Sequence, residues 1–231
     1  MKKKIYLAGP DVFLPNAKAV LAAKKAMCAA YGFEGLSPMD TELNDKANVD
    51  PTVEVAMKIY QFDASLMKQA DAILANMEPF RGPSMDTGTA FEMGYMDALD
   101  KPIIGYSNNL RPYKEKYTAF NAHYFGRPYQ GKDYQDPFSI VEDFSLVDNL
   151  MMVQSVRKQG IEILPSFEEA LRTAAILVQP CHPCHDHCPH RQEGEANEKN
   201  LDQTSELDQG SESQGSGSEV QQLVPKAPSA S

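Results

Sequence analysis

Asp71-Ala72-Ile73-Leu74-Ala75-Asn76 and, after a loop containing Pro79 and Gly82, Met85-Asp86-Thr87-Gly88-Thr89-Ala90-Phe91-Glu92-Met93-Gly94-Tyr95 decide the fold of this chain. The first run is short, apolar and bounded by polar residues, as a buried strand is. The second leaves a loop and enters a helix studded with small residues. Strand, loop and helix in this order make half of a parallel α/β unit. Asp86 and Glu92 flank the loop-to-helix junction. Carboxylates near a helix start and a sheet edge are placed to act on a ligand rather than to fill a core. Chemistry at a glycosidic carbon needs one carboxylate as nucleophile and a second proton donor nearby.

Working outward, Ile5-Tyr6-Leu7-Ala8 ends in Gly9-Pro10 and reads as a strand followed by a turn. Ala17 to Tyr31 has helical spacing and stops at Gly32, and Phe33 to Leu36 reads as a second strand. Val53 to Gln69 places Val53, Met57, Tyr60, Ala64 and Met67 on one helical face. Thr87 to Leu99 is a helix and Pro102 to Tyr106 a strand. The stretch 107–137 reads as an irregular aromatic-rich insertion, followed by a helix from Ser139 and a strand at Ile161-Glu162-Ile163-Leu164. A last helix starts at Ser166, where Glu169 completes a capping-box pattern. The expected fold is α/β: a flavodoxin- or Rossmann-like parallel sheet of about five strands flanked by helices, with a disordered C-terminal tail. Ligands in such sheets bind beyond the carboxyl ends of the strands. Gly9 to Phe13, Asn76 to Asp86 and the chain after Tyr106 all follow strand ends.

The chain has 231 residues and a net charge of −10, enough length for one substantial domain with some to spare. Much of the charge lies late, where Glu193, Glu195, Glu198, Asp202, Glu206, Asp208, Glu212 and Glu219 face Lys199. So polar a stretch buries too little apolar surface to offset its ordering entropy. We expect an α/β domain over 1–178, a Cys/His-rich segment over 179–192 and a disordered acidic tail over 193–231. The acidic balance argues against a nucleic-acid polymer as partner. The basic start has no apolar run of signal-peptide length, and no segment nears the roughly 20 apolar residues of a membrane span. Cys28 is the cysteine inside the expected domain, so no disulfide framework is expected there. A soluble cytoplasmic protein with no membrane partner is the expectation.

Three segments resemble the nucleoside 2-deoxyribosyltransferase family: Ile5 to Phe13, Asp71 to Tyr95 with Pro79-Phe80-Arg81-Gly82 and the Asp86/Glu92 pair, and Phe144-Ser145-Leu146-Val147-Asp148-Asn149-Leu150-Met151. With Ile161 to Phe167, the resemblance spans residues 4–178. It implies that Glu92 is the nucleophile, forming a covalent 2-deoxyribosyl-enzyme as the base departs, and that an incoming base then takes the sugar with net retention. It implies that Tyr6 orients Glu92, and that Asp71 and Asp86 are base-side carboxylates, one of them a proton donor. Gly9, Phe13, Asp63 and Gly88 fall at substrate-side positions, Phe13 to stack on the base. Asn149 would reach the site of a neighbouring subunit, so a homo-oligomer with shared sites is implied. Its neighbour Asp148 is a charge where an apolar residue is expected. Deoxynucleosides and free nucleobases are the implied partners, with no cofactor.

Bland readings stand beside these. Asp86 could be only a helix N-cap, Asp71 only a strand start, Glu92 a surface residue, and Tyr6 and Phe13 core aromatics. One alternative function is hydrolysis of a deoxynucleoside 5′-monophosphate by the same Glu; Asp11, in the loop where a phosphate would sit, argues against it by repulsion. Another is a nucleotide-binding sensor without catalysis, for which an intact nucleophile is superfluous. Cys181, Cys184, Cys188 and His190 have zinc-like spacing in the late segment. We read them as a possible metal site without a catalytic role, in a chain segment of otherwise unstructured composition.

Overall fold

The computed structural model describes residues 1–44, 50–129 and 140–178. Four strands, β1 (Lys4–Ala8), β2 (Glu34–Leu36), β3 (Ala72–Asn76) and β4 (Ile103–Tyr106), form one parallel sheet in the order β2-β1-β3-β4. Ile5 pairs with Ala72, and Ile73 with Ile103. The expected fifth strand at Ile161–Leu164 is reduced to one parallel bridge between Leu164 and Tyr106.

Alternation along the strands divides the core into two layers. Tyr6, Ala8, Ile73, Ala75 and Ile103 face one side. There they meet Met67 of α2 (Val53–Gln69), Met93 and Met96 of α3 (Thr87–Ala98), and Val153 and Val156 of α5 (Leu150–Arg157). Ile5, Leu7, Ala72, Leu74 and Ile104 face the other, against Cys28 of α1 (Ala17–Ala30) and Ala170, Leu171 and Ala174 of α6 (Phe167–Val178). Tyr6 therefore points at α2 and α3.

Local chemistry sets the helix limits. Thr52 caps α2 by accepting from Val55 N at 3.2 Å, and Lys101 Nζ donates to the Met67 and Lys68 carbonyls at its far end. Gly32, after α1, adopts φ 82°, a left-handed conformation natural to glycine. Ser166 Oγ accepts from Glu169 N at 3.2 Å at the start of α6, one half of the expected capping box.

Two expectations need correction. The insertion read as irregular carries a helix, α4 (Tyr113–Phe125), whose buried residues are Lys116 and Asn121. The helix expected from Ser139 starts at Leu150, because Asn149 supplies the cap and accepts from Met151 N at 3.0 Å. The Cys181, Cys184, Cys188 and His190 cluster and the acidic tail lie outside the described residues, as does part of the insertion.

Candidate active site

Strand β1 exits at Gly9, whose φ of 150° and close approach to Asn76 leave no room for a side chain: a Cβ there would lie 2.5 Å from Asn76 Cβ. The chain then makes a short 3-10 turn over Pro10–Phe13. This turn, the 38–39 segment after β2, α2 and the start of α3 enclose a cavity of about 200 Å³. Gly9, Phe13, Asp63, Asp86, Gly88 and Glu92 line it together with Val12, Pro38, Met39, Ile59 and Thr89.

At its base Tyr6 Oη donates to Glu92 Oε1 at 2.6 Å. Glu92 lies in the second turn of α3 rather than at its first residues, so burial outweighs any help from the helix end. Burial, with the nearby Asp63 and Asp86 charges, pushes its carboxyl up to about 8 against the lowering effect of the Tyr6 hydrogen bond. The Tyr6 phenol is raised far above its ordinary value, by burial first and then by the Glu92 and Asp63 charges, and stays a donor. Asp63, on α2, is raised by burial to about 7, and its Oδ1 is buried with no hydrogen-bond partner among the described residues.

Asp86 is the N-cap of α3 and accepts at Oδ2 from Thr89 N at 2.9 Å and Thr89 Oγ1 at 3.0 Å. Gly88 leaves room for this carboxylate, since a Cβ would come 3.0 Å from Asp86 Oδ2. Capping and facing the cavity are thus compatible for Asp86. Phe13 stacks on Phe80, ring centroids 5.0 Å apart, and the Arg81 guanidinium lies over both rings.

Asp71 is not brought to this cluster. It precedes β3 and so lies at the amino edge of the sheet, where it accepts from Lys3 Nζ at 2.8 Å and Lys4 N at 2.7 Å. Burial pushes its carboxyl up, but the Lys3 and Lys4 hydrogen bonds and the Lys3 and Lys101 charges more than offset this and leave it below the ordinary range. Asn149 is exposed at the α5 cap, its amide donating to Glu142 at 2.9 Å, and does not line the cavity of its own chain. Asp11, expected to repel a phosphate, is ion-paired with Lys24 at 2.6 Å, which also donates to Tyr106 Oη. Its charge is balanced within the protein. Among the described residues no group of three His, Cys, Asp or Glu is arranged to hold a metal.

A parallel α/β sheet with a carboxyl-lined cavity at the exit of β1 has the arrangement of a small-ligand site at the carboxyl edge of the strands. The family model for nucleoside 2-deoxyribosyltransferases matches residues 5–151, and the chain belongs to that family. It is 32% identical over 181 residues to an uncharacterised protein of Schizosaccharomyces pombe, covering 74% of this chain and 85% of the relative. It is similar to the structure of a 2-desoxiribosyltransferase from Leishmania mexicana at 30% identity and TM-score 0.54, covering 75% of this chain and 97% of that one.

Proposed function

We propose that the protein transfers 2-deoxyribose between nucleobases through a deoxyribosyl ester on Glu92. The observation that carries this reading is the Tyr6–Glu92 hydrogen bond beneath a cavity that also holds Asp63 and Asp86. The Glu92 carboxylate attacks C1′, the C1′–N bond breaks, and its electron pair leaves with the base, which takes a proton from a carboxylic acid. Asp63 is the better placed acid: it lines the cavity, and burial raises it to about 7, so that about half of it carries a proton at neutral pH. Asp86, tied into the helix cap, holds position beside it. The acceptor base then attacks C1′, Glu92 departs as carboxylate, and the acceptor's proton returns to the acid. Two inversions give retention.

The reactive microstate has Glu92 ionised and a proton on Asp63. Tyr6 favours it by donating to the Glu92 anion. Asp71 has no place in this scheme. Asn149 is assigned to the cavity of a neighbouring subunit, in keeping with its exposed position at the α5 cap.

The test is chromatography of products from 2′-deoxyinosine with and without adenine. Deoxyadenosine formed only with adenine supports transfer. Hypoxanthine and free deoxyribose formed regardless of adenine contradict it. A deoxynucleoside 5′-monophosphate belongs in the same assay, because the Asp11–Lys24 pair removes the repulsion that argued against a phosphate.

A further inference from the structure

Asp148 is 1% exposed, yet it lines no part of the cavity. Its two carboxylate oxygens gather donors from separate parts of the chain. Ser84 Oγ and Asn149 N donate to Oδ1, and Met85 N donates to Oδ2 at 2.9 Å. Lys116 Nζ of α4, itself 3% exposed, lies 3.8 Å from Oδ2. Burial lowers the Lys116 ammonium, while the Asp148 and Glu78 charges act to keep it protonated. The loop so gripped is closed by Phe80 N donating to Ser84 O at 2.9 Å. Met85, held through its backbone, immediately precedes Asp86.

We propose that Asp148 is a positioning residue for Asp86: a buried carboxylate that fixes the 79–86 loop so that Asp86 meets the cavity beside Glu92. A neutral residue there could not accept from Ser84, Met85 and Asn149 at once, whereas a carboxylate has the lone pairs and gains from charge-assisted bonds. Lys116 supplies the countercharge that an interior carboxylate needs. The charge that breaks the apolar pattern beside Asn149 thus has its own task. This inference rests on the reading of Asp86 and Glu92 as reaction partners and deepens it.

The test is Asp148→Asn, alone and in an Asp86→Asn background. A displacement near one ångström costs up to about 100-fold in rate, so kcat for base exchange should fall roughly 10- to 100-fold with circular dichroism unchanged. In the Asp86→Asn background the same change should cost less than about twofold, because its effect runs through Asp86. Equal losses in both backgrounds overturn the proposal. Ser84→Ala spares the Asp148–Lys116 pair and keeps the test available if Asp148→Asn does not fold. It should show a smaller loss that again vanishes without Asp86; no loss, or one independent of Asp86, overturns the proposal.

A readout independent of turnover is the carboxyl 13C titration of Glu92. The groups facing it are Tyr6 from β1, Asp63 from α2 and Asp86 from the loop. With Asp86 displaced, Glu92 should titrate lower in Asp148→Asn than in the wild type. An unchanged titration overturns the positioning role. Absence of base exchange in the wild type would instead overturn the proposed function, and the titration would still decide this inference.

Discussion

Glu92 is held under opposed demands. Burial and its acidic neighbours raise it to about 8, whereas attack on an anomeric carbon requires its anion. With Asp63 raised to about 7, the two titrate as a coupled pair. We expect kcat/KM to follow a narrow bell between these values, rising as Glu92 loses its proton and falling as the acid loses its own; a flat profile from pH 6 to 9 contradicts this. A carboxyl raised on folding lets the native state keep a proton that the unfolded chain has lost. The stability it contributes is therefore full below the unfolded value of 4.5 and is lost as pH rises through about 8. Glu92→Gln should match the wild type near pH 4 and exceed it by up to about 5 kcal/mol at pH 9, measured by denaturant unfolding. The same variant should lose at least about 10³-fold in turnover. Asp71 teaches the converse. Its sequence neighbourhood suggested a site role, but a strand has a direction, and a residue that precedes it lies at the edge away from the ligand. Asp71→Asn should leave turnover within about twofold and cost about 1 kcal/mol of stability through the lost Lys3 and Lys4 bonds.

At the scale of elements, what was legible is what periodicity and caps write into sequence. The helix read as Val53 to Gln69 has those limits, and the strand at Ala72 and the helix at Thr87 lie where an apolar run and a capping Asp put them. Helix α4 was legible in part, since Tyr113, Tyr117, Phe120 and Tyr124 recur at helical spacing; its buried residues, however, are Lys116 and Asn121, and polar burial is not read from an apolar stripe. For the same reason Asp148 looked misplaced: its partners Ser84, Met85 and Lys116 are distant in sequence. Asp63 reached the cavity through helix packing that spacing alone does not reveal, although its helical face was readable. The β1 exit is the tightest joint. Gly9→Ala would force a Cβ against Asn76 at a φ that L residues rarely adopt, and should cost about 2 kcal/mol or more by thermal or denaturant unfolding.

At the scale of the whole molecule, the cavity lies at the carboxyl edge of the sheet, bounded by α2 and α3, and no helix among the described residues is long and apolar enough to cross a membrane. Tyr60 and Phe91, about half exposed on α2 and α3, pack with Tyr95 into a surface aromatic ridge. If subunits share sites through Asn149, mixing Glu92→Gln with Asn149→Ala chains, each inactive alone, should restore up to about a quarter of wild-type turnover in a dimer. No recovery after subunit exchange would assign Asn149 to structure alone. Mass spectrometry of the protein quenched during turnover of 2′-deoxyinosine detects the ester on Glu92 itself. One deoxyribosyl group is expected on the peptide carrying Glu92, absent after adenine is added in excess and absent in Glu92→Gln. Steady turnover with that peptide unmodified, or with the sugar on another residue, would contradict the ester.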